Sequence, residues 1–126
     1  MASIELEHIG IPAPGDTFEP TVRFYQQIFG MKVIREVNAN QHLAFLSDGM
    51  GGRIEVLDTE GEPMANPAHL AFMVPFPEFE ETKARLAEQG VAFDPVFVTD
   101  TGDHLAYFND PAGNRAQLVG RVTPLE

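Results

Sequence analysis

Hydrophobic and polar positions alternate in short runs along this chain, and the runs recur in the same order. From Glu5 to Ile11 (ELEHIGI), Ile9 and Ile11 fall on one face and His8 and Gly10 on the other, as in a half-buried strand. Residues 12–15 (PAPG) break it. Asp16 or Thr17 then caps a helix that tolerates Pro20 in its first turn and repeats Val22, Tyr25 and Phe29 on one side until Gly30 ends it. Residues 31–39 and 41–46 read as strands, Asp48 to Gly52 as a Gly-rich turn, and Arg53 to Leu57 as a further strand. The predicted order is βαβββ.

Glu60 to Pro67 (EGEPMANP), with Gly, two prolines and two acids, has the composition of a linker. The order then repeats. Residues 67–74 predict a strand, and Glu78 to Gln89 predict a helix with Phe79, Thr82 or Lys83, and Leu86 inside and Gly90 at its end. Residues 91–98, 104–108 and 115–119 predict three more strands, the last two joined by Asp110-Pro111-Ala112-Gly113. His42 to Leu57 (HLAFLSDGMGGRIEVL) and His104 to Val119 (HLAYFNDPAGNRAQLV) align without a gap at an offset of 62, and Glu55 falls opposite Gln117. Such a repeat predicts an α+β fold of two tandem βαβββ modules whose equivalent side chains are related by a pseudo-twofold axis. The expected organisation is a single domain over residues 1–126, with module one at about 4–59, the linker at about 60–67 and module two at about 68–122.

Composition narrows the function. With 126 residues and 44% hydrophobic content the chain can bury a core, but a half alone is short, so the halves are expected to bury their faces together or in a homodimer. Eight basic against 19 acidic residues, a net charge of −11, exclude nucleic acid and anionic membrane as natural partners. The absence of cysteine excludes disulfides and thiolate chemistry. The leading MASIELEH has neither a basic nor an apolar run, and no segment approaches membrane-spanning length, so a soluble, cytoplasmic protein is expected.

Strand alternation sorts side chains into two faces. Ile9, Ile11, Leu43, Phe45, Ile54, Val56, Leu70, Phe72, Leu105, Tyr107, Ala116 and Leu118 form the set expected beneath the helices. The opposite face then receives His8, His42, Arg53, Glu55, His69, His104, Arg115 and Gln117, which gathers all four histidines on one polar surface. Asp48 and Asp110 read as turn residues bonding their own backbone. Phe24, Tyr25, Phe76 and Phe79 read as core.

Four segments, His8-Ile9-Gly10-Ile11, Arg23-Phe24-Tyr25 running to Phe29-Gly30-Met31, His69-Leu70-Ala71-Phe72, and Asp110 to Leu118 (DPAGNRAQL), resemble the vicinal oxygen chelate superfamily. It includes glyoxalase I, bleomycin-resistance proteins, extradiol dioxygenases, fosfomycin-resistance enzymes and methylmalonyl-CoA epimerase. The resemblance implies a cupped mixed sheet with helices on its outer face and one divalent metal held by the first and last strand of each module. Carried over, the metal positions are His8, Glu55, His69 and Gln117. Glutamine at position 117 departs from the commoner glutamate, so the carboxylate of the set lies in the first module, at Glu55. The first strand of glyoxalase I resembles His-x-x-x-Arg, with the arginine helping to hold glutathione, whereas Pro12 stands four residues after His8 here, which argues against a glutathione hemithioacetal as substrate.

Together with these residues the resemblance implies a metal-dependent isomerase or lyase acting on a small vicinal-oxygen substrate through enolate chemistry, with Zn, Ni, Co, Mn or Fe as the ion. Glu55 is the expected catalytic carboxylate. His42 and His104 are candidate substrate contacts or a reserve base, or else solvated rim residues; Arg53 and Arg115 hold an anionic group or stabilise their turns. A metal-free sequestering protein of the bleomycin-resistance kind and an extradiol-type dioxygenase are the alternative functions.

Overall fold

The computed structural model describes Ser3 and residues 5–126; the expected start of module one at residue 4 lies outside the described residues. The chain forms two compact units, residues 1–63 and 64–126.

In the first unit, β1 (Ile9–Pro12) leads through a 3-10 turn (Gly15–Thr17) into α1 (Phe18–Arg23), which widens into a π-helical turn (Phe24–Ile28). β2 (Lys32–Asn38), β3 (His42–Ser47) and β4 (Arg53–Leu57) follow, and the sheet order is β1-β4-β3-β2. β1 runs parallel to β4, and the other pairs are antiparallel. The helix covers one face, where Ile11, Ala44, Leu46, Ile54 and Val56 are buried with Phe18, Val22 and Tyr25. The turn between β3 and β4 is held by Asp48, whose carboxylate accepts from the N–H groups of Met50 and Gly52.

The second unit repeats the topology. β5 (Leu70–Pro75) leads through a 3-10 turn (Phe76–Glu78) into α2 (Phe79–Glu88), followed by β6 (Phe97–Val98), β7 (His104–Asn109) and β8 (Arg115–Arg121) in the order β5-β8-β7-β6. Leu70, Ala106, Phe108, Ala116 and Leu118 face the helix with Phe79 and Leu86. Gly120 has to be small there, since a Cβ would stand 3.1 Å from that of Phe79. Asp110 accepts from the backbone of Ala112 and Asn114, and the buried Asn114 in turn accepts from the Met64 N–H, fastening the unit's leading segment to this turn.

Four predicted strands are shorter than expected: those at 31–39 and 67–74 lose only their ends, to Lys32–Asn38 and Leu70–Pro75, while two others are cut to about half or less. The strand predicted at 5–11 is paired only from Ile9; ahead of it the Arg53 side chain donates to the Glu7 carbonyl. The strand predicted at 91–98 pairs only at Phe97 and Val98; Pro95 lacks an N–H, and only the Asp94 N–H reaches across, to the Tyr107 carbonyl. No helix among the described residues is long and apolar enough to cross a membrane.

Candidate functional site

Parallel pairing at the edge of each sheet sets one histidine beside one oxygen-bearing side chain. In the first unit Gly10 is the register partner of Glu55, so His8, two residues earlier on the same face, stands beside Glu55. Gly10 keeps the space between them open: a Cβ there would meet Leu57 at 3.2 Å and Glu55 Oε1 at 3.5 Å. In the second unit Ala71 partners Gln117, which sets His69 beside Gln117 by the same rule.

The hydrogen bonds orient both rings alike. His8 Nδ1 lies 2.9 Å from Glu7 Oε1, and His69 Nδ1 bonds the Pro67 carbonyl. Both partners are acceptors only, so Nδ1 is the donor nitrogen, and whenever the ring is neutral Nε2 keeps its lone pair. In the first unit that lone pair faces Glu55 Oε1 at 3.4 Å, acceptor against acceptor, which a shared cation or a proton relieves. In the second, His69 Nε2 lies 2.8 Å from Gln117 Nε2, while Gln117 Oε1 is buried with no hydrogen-bond partner. Rotating the amide would only set its oxygen against the imidazole lone pair, so either orientation leaves an acceptor without a donor. At each pair a divalent ion would answer the deficit, since it accepts from imidazole nitrogen and from amide or carboxylate oxygen alike. The residues present therefore suit a divalent metal. Each ring is also steadied by an edge-to-face neighbour, Phe45 for His8 at 5.1 Å between centroids and Tyr107 for His69 at 5.5 Å.

The structure corrects the face assigned to two other histidines. His42 and His104 lie on the helix-covered face: His42 stacks on Phe18 at 3.9 Å, and His104 packs edge-on against Phe76 and Phe79 at 5.0 and 5.5 Å. The corollary holds for their neighbours. Phe45 and Tyr107 pair with Glu55 and Gln117 and so share the open face, as do Leu43 and Leu105 by strand parity. The two arginines keep the expected face and differ in their engagement. Arg53 donates only to the Glu7 carbonyl at 3.1 Å among the described residues, whereas Arg115 pairs with Asp94, bonds Asn109 and lies over the Tyr107 ring at 4.8 Å.

Two features were not predicted. Glu19, Glu36 and His42 bring three potential ligand atoms within 4.8 Å of one another and could hold a divalent ion, in a cluster separate from the His8–Glu55 pair. Both glutamates are exposed and come from α1 and β2, so only the folded packing of helix on sheet joins them to His42. A cavity of about 470 Å³ also opens beside His8, lined by Glu5, Glu7, Ile34, Arg35, Phe45 and Arg53.

Comparison with known proteins agrees with this architecture. A glyoxalase family protein from Enterococcus faecalis is 31% identical, with 91% of this chain and 96% of that chain covered and a TM-score of 0.75. A mutant of the fosfomycin resistance protein FosX from Listeria monocytogenes, crystallised with Mn(II) and 1S,2S-dihydroxypropylphosphonic acid, is 22% identical over 97% of this chain and 95% of its own, with a TM-score of 0.80. An integron cassette protein from the mobile metagenome of the Halifax Harbour sewage outfall is 21% identical over 93% and 99% of the two chains, with a TM-score of 0.76. The last two are likenesses of fold. No curated protein matches the sequence. The model of the Glyoxalase/Bleomycin resistance protein/Dioxygenase superfamily matches residues 5–118, and with nearly the whole chain inside that match the protein belongs to this superfamily.

Proposed function

We propose that this protein is a metal-dependent isomerase or lyase that acts on a small substrate carrying vicinal oxygens, with His8, Glu55, His69 and Gln117 as the ligands of one divalent ion. The supporting observation is the shared design of the two pairs. In each, Nδ1 is tied to an acceptor, Nε2 is turned toward an oxygen-bearing side chain, and one acceptor is left without a donor.

When bound, the ion supplies Lewis acidity that stabilises negative charge on an oxygen beside the reacting carbon. The chain's own residues supply the rest. Glu7 fixes the tautomer of His8, and the Pro67 carbonyl that of His69, as outer partners of ligand histidines do. Glu55 is the carboxylate of the set, and its Oε1, 3.4 Å from His8 Nε2, can take up and return a proton. Gln117 offers a neutral oxygen and no base. The proposal includes a homodimer as the working form, which sedimentation analysis tests.

Metal content separates this reading from its rivals. Protein purified without chelator should carry about one equivalent of a first-row divalent ion. Glu55→Gln and His69→Ala should each lose the ion and abolish turnover, whereas Glu36→Gln should retain both. Loss of the ion from Glu36→Gln, with Glu55→Gln still loaded, would move the metal to the cluster around His42. A site that refuses added metal would favour sequestration of a ligand without chemistry.

A further inference from the structure

We infer that the cavity beside His8 is a recognition subsite for an anionic group carried at the far end of the substrate, with Arg35 as its principal residue. This inference rests on the reading above, because it takes the His8–Glu55 pair as the place where the reacting end sits.

The geometry follows from register. Arg35 pairs with Phe45, Phe45 with Glu55, and Glu55 with Gly10, so these residues form one row across all four strands of the first unit on the face that the helix leaves open. Arg35 joins the row only because β2 is irregular. Val33 pairs with Leu46, and a shift between Val33 and Arg35 brings Arg35 opposite Phe45 rather than Ala44. Without that bulge its side chain would turn to the helix-covered face, and re-aiming one side chain is a recognised use of a bulge.

The charges point to an anion. In a chain with 19 acidic and 8 basic residues, an arginine readily finds a carboxylate, as Arg115 and Arg121 do. The Arg35 side chain has no ion pair or hydrogen bond among the described residues, and the Arg53 side chain has only a backbone acceptor. Of the two acids in the cavity wall, Glu7 is engaged with His8, and neither acid forms a salt bridge to an arginine among the described residues. Two guanidinium groups thus border an apolar floor of Phe45 and Ile34. Strands lie about 4.8 Å apart, so Arg35 stands roughly 10 Å from Glu55 with the Phe45 ring between them. The ligand that fits has an oxygenated reacting end, an apolar middle that covers Phe45, and a carboxylate or phosphonate at the other end. A cavity of about 470 Å³ suits a molecule of that length.

The test uses 3-phenylpropanoate, its neutral amide 3-phenylpropanamide, and the cation 3-phenylpropylamine, titrated against the full-length protein by calorimetry with and without Mn(II). The acid should bind about tenfold more tightly than the amide, the size of effect expected of a charge-assisted contact. Arg35→Met should erase that preference, and Arg53→Met should weaken it. Arg85→Met, exposed on α2, controls for net charge and should keep it. Phe45→Leu should weaken acid and amide alike. Circular dichroism confirms that each variant is folded. Equal binding of acid and amide, an undiminished preference in Arg35→Met, or tighter binding of the amine would overturn the assignment. The outcome is independent of metal: a loaded protein blind to the carboxylate removes this subsite and leaves the proposed function standing, while a carboxylate preference in a protein that binds no ion does the reverse.

Discussion

Gln117 carries no charge, and that sets how strongly its half of the proposed site holds a cation. Its amide oxygen is buried and unpartnered, so a neutral oxygen donor is available while the electrostatic attraction of a carboxylate is missing. Gln117→Glu should therefore tighten metal binding by about tenfold, the scale on which ligand surroundings tune affinity. Competition against a chromophoric chelator measures it, and unchanged affinity would remove Gln117 from the site. The two pairings were legible in the sequence, because each joins residues at equivalent places of the repeat and strand parity does the rest. The outer partners were not. Glu7 reads as an ordinary exposed acid, and the Pro67 carbonyl leaves no mark in a sequence at all.

At the scale of elements, the loop before β7 shows how a short acidic segment anchors a strand end. Asp103 accepts from the Val122 N–H at 2.8 Å, from Thr101 at 2.9 Å and from Arg121 at 3.1 Å, so one carboxylate ties the entry of β7 to the exit of β8. The Val122 N–H chiefly, then Thr101 and Arg121, hold its pKa below the ordinary 3.8, against the opposing effect of burial. A carboxylate with a lowered folded pKa stabilises the fold above its unfolded value, and that contribution is lost as pH falls through the folded pKa. Acid titration of the wild type should accordingly show a loss of stability below about pH 4 that Asp103→Asn lacks, at the cost of lower stability at neutral pH. Urea melts from pH 7 down to pH 2.5 test this; parallel curves would refute it. The anchor was not legible in advance, since residues 99–103 (TDTGD) read only as loop. The truncation of β6 at Phe97–Val98 is easier to trace, to Pro95, whereas the bulge that turns Arg35 follows from no residue type in β2.

For the whole molecule, a ligand that binds the folded chain and not the unfolded one raises stability by mass action. Saturating Mn(II) or Zn(II), at roughly a hundred times Kd, should add about 2.7 kcal/mol, and chelator should reverse it. For a chain of this size that is a rise in Tm of several degrees, read by calorimetry, and Glu55→Gln should show none. The repeated βαβββ order followed from the sequence because apolar periodicity switches between the strand and helix repeats at residues that also break the chain, Pro12 to Gly15, Gly30, Pro75 and Gly90. Strand parity likewise determined which side chains share a face wherever one set was clearly apolar, as in β4, where Ile54 and Val56 alternate with Arg53 and Glu55. In β3 and β7 both sets are largely apolar, His42-Ala44-Leu46 against Leu43-Phe45 and His104-Ala106-Phe108 against Leu105-Tyr107, so alternation alone does not choose between them. The fold chooses by volume. Phe18 and Phe79 already fill the space under the helices, leaving room for Ala44 and Ala106 and for flat histidine rings packed face-on at His42 and edge-on at His104, while Phe45 and Tyr107 go to the open face and brace the two proposed ligand histidines. Tertiary packing alone decides that, because it compares side chains that the sequence keeps far apart.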